Sequence, residues 1–174
     1  MVTLSGQKVF LRALEPGDLD FLYKLENDES VWEVSETLAP YSKFILKQYL
    51  ENSHRDIFDV KQLRLAISNY DEVLLGFIDL FDFDPKNKRA GVGIIVLDEE
   101  DRNKGVGTEA LQLLIKYSFK QLDLHQLYAN ISEDNHASIK LFTNLGFERV
   151  GVKKDWNYIA GKFKNEILYQ KLNK

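Results

Sequence analysis

Cysteine is absent from this chain, which removes disulfides, thiolate metal sites and a cysteine nucleophile together. Histidine is scarce. His54, His125 and His136 stand far apart without metal-ligand spacing, so no metal is expected. The three prolines, Pro16, Pro40 and Pro85, fall at plausible element boundaries. No repeat, linker or low-complexity tract interrupts the chain. The longest apolar runs, such as residues 94–97, are far too short to span a bilayer. The first six residues lack a charged region followed by an apolar stretch, so no signal peptide is expected and the location expected is cytoplasmic. Runs of Lys or Arg are missing too. With 23 basic and 27 acidic residues the net charge is -4, which repels phosphate polymers and argues against nucleic acid as a partner.

What is present fits one globular domain over residues 1–174, with 44% hydrophobic and 29% charged residues. A strand is expected at 8–14, a short helix after Pro16-Gly17-Asp18, and a second helix from about 40 to 52. Apolar stretches at 63–69, 73–83 and 89–97, separated by polar turns, read as an antiparallel meander. Helical spacing then runs from Gly105 to Leu122, followed by a strand at 126–132. Asn135 caps another helix, and Gly146 stands where a left-handed C-terminal cap belongs. Two strands near 147–154 and 163–172 complete a mixed sheet with helices on both faces.

The most informative stretch is Asp101-Arg102-Asn103-Lys104-Gly105-Val106-Gly107-Thr108, between an apolar strand and the long amphipathic helix. Glycines let backbone amides approach a ligand closely, and a helix start adds free N–H groups and a positive dipole end. Arg102 and Lys104 add formal charge. A pyrophosphate site and a plain glycine turn both fit this stretch alone. No G-x-x-x-x-G-K-[ST] occurs, so a P-loop is excluded. Gly105-Val106-Gly107-Thr108-Glu109-Ala110 matches the dinucleotide pattern G-x-G-x-x-A, but Asp98 to Lys104 separate it from its strand.

Arg102-x-x-Gly105-x-Gly107 also fits R/Q-x-x-G-x-G/A, and Asn135-His136-Ala137-Ser138, Leu141-Phe142 and Gly146-Phe147 follow at the matching distance. In these motifs the chain resembles the GNAT superfamily of N-acetyltransferases. The opening segment and the tail from Gly151 to Glu166 resemble the branch of spermidine/diamine N-acetyltransferases and ribosomal-protein N-terminal acetyltransferases. The resemblance implies an α+β fold: a central, mixed, mostly antiparallel, twisted sheet of six to seven strands flanked by about four helices. It implies acetyl-CoA as cosubstrate and a primary amine as acceptor, with a polyamine or diamine first and a protein N-terminus or another small amine as alternatives. It also implies a homo-oligomer, a dimer or larger.

Residue by residue, the resemblance implies that backbone groups of Ile95, Val96 and Leu97 meet the pantetheine arm and the thioester. The amides of Arg102, Asn103, Lys104, Gly105, Val106, Gly107 and Thr108 would hold the pyrophosphate, and Asn135 and Ser138 would face the arm and the sulfur. Many relatives place a Tyr acid seven residues after the Asn, and this chain has Phe142 there. Phe142 has no proton to donate, which leaves Ser138 as a candidate acid and also leaves open a CoA-binding regulatory domain without turnover. For the amine, Asp79 matches an acidic position of the spermidine enzymes and is the first candidate for binding or proton relay. Glu33, Glu36 and Asp155 fall near the implied acceptor pocket. Strand alternation places Asp79 and Asp82 on opposite faces.

Overall fold

The apolar alternation between residues 63 and 97 becomes a three-stranded meander, and the rest of the sheet grows from its two edges. The computed structural model describes residues 4–102 and 104–174. The strands are β1 (Val9–Arg12), β2 (Leu63–Asn69), β3 (Leu74–Asp84), β4 (Arg89–Val96), β5 (Gln126–Ser132), β6 (Glu148–Ile159) and β7 (Lys162–Leu172). The helices are α1 (Leu19–Glu26), α2 (Trp32–Ser35), α3 (Lys43–Glu51), α4 (Ile57–Val60), α5 (Glu99–Arg102), α6 (Val106–Lys120) and α7 (His136–Asn144). One seven-stranded sheet runs in the order β1-β2-β3-β4-β5-β7-β6. Its pairings are antiparallel except β4 with β5, which run parallel. The short helices α2, α4 and α5 were not anticipated. Each is a single turn, too brief for an apolar period to show in sequence.

Each face of the sheet carries its own core. On one face Ile78, Leu80 and Val92 pack with Leu111 and Leu114 of α6 and Phe142 of α7. On the other, Ala66 and Phe77 pack with Leu22 and Leu25 of α1 and Leu46 and Leu50 of α3. Fully burying a Leu or Phe contributes about 1.5–3 kcal/mol, so the two cores fix helices to both faces. The α7 helix stops as its sequence indicates. Gly146 takes φ +83°, the Phe147 N–H reaches the Phe142 carbonyl at 3.1 Å, and the Gly146 N–H reaches that of Thr143 at 3.1 Å. The Phe142 and Phe147 rings meet edge to face at 5.0 Å, the apolar contact that accompanies this cap.

The feature that positions a site is a wedge inside the sheet. β4 and β5 pair only at Arg89↔Gln126, Ala90↔Leu127 and Gly91↔Tyr128. Beyond that β4 stays with β3 as far as Val96, and β5 stays with β7 as far as Ser132. The strands therefore part, and the gap opens toward their C-terminal ends. At its vertex the Phe81 ring crosses Gly91, where a Cβ would lie 2.2 Å from the ring, and meets Tyr128 edge to face at 5.8 Å.

Glu109, in the first turn of α6, ties that helix to the other end of the chain. Its carboxylate accepts from the backbone N–H groups of Gln7, Lys8 and Val9 at 2.9, 2.7 and 2.7 Å. Burial pushes this carboxyl up, and the three N–H donors and the Lys8 charge outweigh burial and hold it below its ordinary range. A depressed folded value contributes stability that is present above the unfolded value and lost as pH falls through the folded one. Glu109→Gln should therefore lower the thermal midpoint at pH 7, with the gap to wild type closing below about pH 4. Thermal scans of both proteins across pH check this; a gap that stays constant contradicts it.

Candidate active site

Two cavities meet in the wedge. The first, about 480 Å³, lies between the end of β4, the start of α6 and α7. Gly105 caps α6 with φ +81°, a conformation other residues adopt only with strain. The first backbone bond of the helix, Glu109 N–H to the Gly105 carbonyl at 3.1 Å, leaves the N–H groups of Val106, Gly107 and Thr108 without intrahelical partners. Gly105, Gly107 and Thr108 line the cavity. A Cβ on Gly107 would touch only Leu141 at 3.6 Å and Ile94 at 3.8 Å. Lys8, which the sequence did not single out, donates from Nζ to the Lys104 carbonyl at 2.8 Å and adds a cation beside this helix mouth. Free amides, a dipole end and nearby cations are the donor set a diphosphate requires. Asn103 lies outside the described residues.

Part of the expected amide set is engaged within the protein: the Arg102 and Lys104 N–H groups reach the Asp98 and Asp101 carbonyls at 3.2 Å each. The Arg102 side chain turns back on the strand: Nε donates to the Val96 carbonyl at 2.8 Å and Nη2 to the Leu97 carbonyl at 3.2 Å. Its guanidinium braces the end of β4 as well as lining the cavity. Lys104 lies near Glu100 and Asp101, at 3.8 and 3.7 Å, with its side chain 62% exposed. The Leu97 N–H is bonded to the Leu75 carbonyl at 3.0 Å, so both backbone groups of Leu97 are engaged within the protein. The Ile95 carbonyl faces β3, where it would lie 2.1 Å from a Cβ on Gly76. Antiparallel alternation therefore turns the backbone groups of Ile94 and Val96 toward the gap. Of the expected trio Val96 alone turns its N–H to the gap; Ile95 and Leu97 face β3, and Ile94 shares the gap edge with Val96. The signal that could have found this was the parity of the ladder, which sequence alone does not fix.

Asn135 and Ser138 line this first cavity. The Asn135 Oδ1 accepts from the Ser138 N–H at 3.2 Å as a helix N-cap, and its amide nitrogen keeps no protein partner among the described residues.

The second cavity, about 730 Å³, lies on the α1 and α3 side and reaches the vertex of the wedge. Six carboxylates line it, from Glu26, Glu33, Glu36, Asp79, Asp82 and Glu166, against the single guanidinium of Arg64. Val34, Ile94, Ile95 and Ser138 line both cavities, so the two meet toward the C-terminal end of β4.

Asp79 is present here, but it is not a free carboxylate. Arg64, directly opposite it on β2, donates from Nε to Oδ1 at 2.7 Å and from Nη2 to Oδ2 at 3.1 Å. The third arm, Nη1, reaches Glu26 Oε1 at 2.7 Å. Burial pushes the Asp79 carboxyl up, against the pull of the Arg64 charge. For Arg64 burial works downward, and the Asp79 charge and hydrogen bonds more than reverse it. Two charge-assisted bonds join Arg64 to Asp79 and a third joins it to Glu26, so two carboxylates share one guanidinium. Beside it Tyr49 is half-buried, and that burial raises its phenol.

Asp82 does not lie on the opposite face. β3 shifts register between Phe81 and Asp84, Asp82 takes φ +47°, and the bulge turns it into the same cavity. Glu33 accepts from Lys164 at 2.8 Å. Glu36 is exposed at the left-handed end of α2. Asp155 is exposed on a bulge of β6, its N–H bonded to Asn165 at 2.9 Å, and it lines neither cavity. Phe142 is 3% exposed and packs into the core while touching the cavity; the expected acid position holds a packing ring.

Sequence reasoning missed Glu26, Arg64 and Glu166. Arg64 was the findable one, a charged residue between Leu63 and Leu65 in an apolar strand. Glu166 is 7% exposed, bonded to Lys153 at 2.5 Å and to Asn157 at 2.9 Å.

Residues 8–148 match the family description "Acetyltransferase (GNAT) domain". The chain belongs to the GNAT family of acetyltransferases. A GNAT enzyme uses acetyl-CoA, and the dinucleotide reading of Gly105 to Ala110 falls away. The chain is 30% identical over 163 residues to spermidine N(1)-acetyltransferase of Escherichia coli K12, covering 94% of this chain and 85% of that protein. It is 28% identical over 160 residues to the Vibrio cholerae spermidine N(1)-acetyltransferase, covering 92% and 90%. The crystal structure of the V. cholerae spermidine N-acetyltransferase in complex with CoA and spermine superimposes with a TM-score of 0.84 at 26% identity, covering 96% of each chain. The sheet of the expected GNAT fold is present at the upper strand number, with more helices than the four expected. Among the described residues no helix is long and apolar enough to cross a membrane.

Proposed function

We propose that the chain transfers the acetyl group of acetyl-CoA to a primary amine of a polyamine or diamine such as spermidine. The observation that carries this is the second cavity: six carboxylates line it against the cations of Arg64, Lys153 and Lys164, an acidic excess, and it opens onto the cofactor cavity at Ile94 and Ser138. A flexible chain with several ammonium groups is the ligand such a wall attracts. The similar proteins from E. coli and V. cholerae bear spermidine acetyltransferase names, and the V. cholerae structure holds CoA and spermine.

Acetyl-CoA supplies the acyl group as an activated thioester. In our reading the N–H groups of Val106, Gly107 and Thr108 hold the diphosphate, and Asn135 donates its side-chain amide to the pantetheine arm. The gap-facing N–H of Ile94 or Val96 polarises the thioester carbonyl. An alkylammonium has a pKa of ~10.4, so the acceptor arrives protonated and must lose a proton to attack. The Glu26–Arg64–Asp79 trio, two carboxylates to one guanidinium, holds the ammonium. Each carboxylate oxygen has two lone pairs, so Asp79 can still accept a proton directly or through water. Ser138, shared by both cavities, stands where the thiolate departs and is the candidate donor that Phe142 cannot be. Asp155 is left out of the acceptor site.

The test is thiol release from acetyl-CoA across spermidine, spermine, putrescine, an aminoglycoside and short peptides, corrected for hydrolysis. Polyamines should give the highest kcat/KM. Preference for a peptide N-terminus would overturn the substrate class, and silence with tight acetyl-CoA binding would make the chain a CoA-binding regulator.

A further inference from the structure

Residues 29–37 roof the wedge. Ser30, Val31 and Val34 line the cofactor cavity, while Glu33, Val34 and Glu36 line the acceptor cavity. Most of the hydrogen bonding in this segment stays local. Trp32 Nε1 donates to the Glu26 carbonyl at 2.9 Å, the Ser35 and Thr37 hydroxyls meet at 2.8 Å, and Asn27 exchanges two bonds with the Tyr41 backbone. Among the described residues, one polar tie crosses from residues 27–41 to the far wall of β5, β7 and α7. Lys164 on β7 places Nζ 2.8 Å from Glu33 Oε1 and 2.8 Å from Asp134 Oδ2. Asp134 immediately precedes Asn135, the cap that borders the cofactor cavity, and also accepts from the Ser132 hydroxyl at 2.8 Å. Lys164 is only 14% exposed at its side chain, which favours a fixed geometry over a loose surface pair.

We propose that Lys164 is a positioning residue: by joining Glu33 to Asp134 it latches the roof across the wedge and so sets the affinity for acetyl-CoA and for the acceptor together. Without this cation two carboxylates face each other across the opening, and like charges at such range repel. The roof then lifts from both cavities, although Lys164 lines neither. The acceptor half of this inference rests on the proposed function; the acetyl-CoA half does not.

The experiment compares Lys164→Met, Lys164→Arg and the double variant Lys164→Met/Glu33→Gln with wild type. Calorimetry gives the acetyl-CoA Kd, and steady-state kinetics with spermidine give KM and kcat. Lys164→Met should raise both the acetyl-CoA Kd and the spermidine KM about tenfold, the factor that losing a charge-assisted tie carries. The kcat at saturation of both substrates should stay within about twofold, since Lys164 touches no reacting atom. Lys164→Arg should stay near wild type. The double variant should recover part of the acetyl-CoA affinity, because the repulsion is gone. Unchanged acetyl-CoA affinity in Lys164→Met, a fall in kcat alone, or no recovery in the double variant would overturn the latch. A wild type that acetylates no polyamine would instead refute the substrate, leaving the acetyl-CoA arm of the test intact.

Discussion

Gly107→Asp is expected to weaken acetyl-CoA binding by more than about a hundredfold, a penalty of roughly 3 kcal/mol for an unpaired charge facing a diphosphate. The position lies in the first turn of α6, where unpaired N–H groups and the dipole end favour an anion. A carboxylate there takes those donors itself and repels the phosphates. The fold should survive, because a Cβ at Gly107 meets Leu141 and Ile94 only at ordinary contact distances. Gly107→Ala is the control and should keep most of the affinity. Gly105 is a poorer probe, since its φ of +81° makes any side chain strained whatever its charge. Titration calorimetry checks the pair. Normal binding by Gly107→Asp would mean that the diphosphate rests elsewhere.

Arg64→Met should destabilise the protein by about 3–5 kcal/mol, the usual cost of removing one partner from a buried ion cluster. The loss leaves Glu26 and Asp79, whose side chains are 15% and 14% exposed, with no cation between them. One carboxylate would then have to take up a proton. Amine use should fall as well, because the trio would no longer hold its shape at the base of the acceptor cavity. The triple variant Arg64→Met/Glu26→Gln/Asp79→Asn should recover much of the stability, since the charges that need one another are removed together. Urea unfolding midpoints for the three proteins settle this, and a loss below about 1 kcal/mol in Arg64→Met would contradict the reading.

These two cases mark what the chain reveals before it folds. Gly105, Gly107, Asn135 and Gly146 were legible because their roles are local: a helix mouth, a cap and a left-handed stop need only neighbours in sequence. The strand at 126–132 was legible for the same reason, its alternation matching β5 residue for residue. The acceptor wall was only partly legible. Asp79 stood out as a charge in an apolar strand, yet its partner lies on β2 and the third member of the trio on α1. Such pairing depends on register. Asp82 escaped because a bulge, invisible in alternation, turned it to the other side. Lys164 and Glu33 lie 131 positions apart, and only the closed sheet brings them together. Likewise the choice of Ile94 and Val96 over Ile95 and Leu97 rests on which edge of β4 faces its departed neighbour.

The central claim is that the wedge between β4 and β5 is where coenzyme A lies. A crystal structure of the protein with CoA tests it most directly. The account predicts the diphosphate on the N–H groups of Val106, Gly107 and Thr108, the pantetheine arm between β4 and β5, and the sulfur beside Ser138. Density for CoA outside the wedge, or a diphosphate held by side chains far from the mouth of α6, would contradict it.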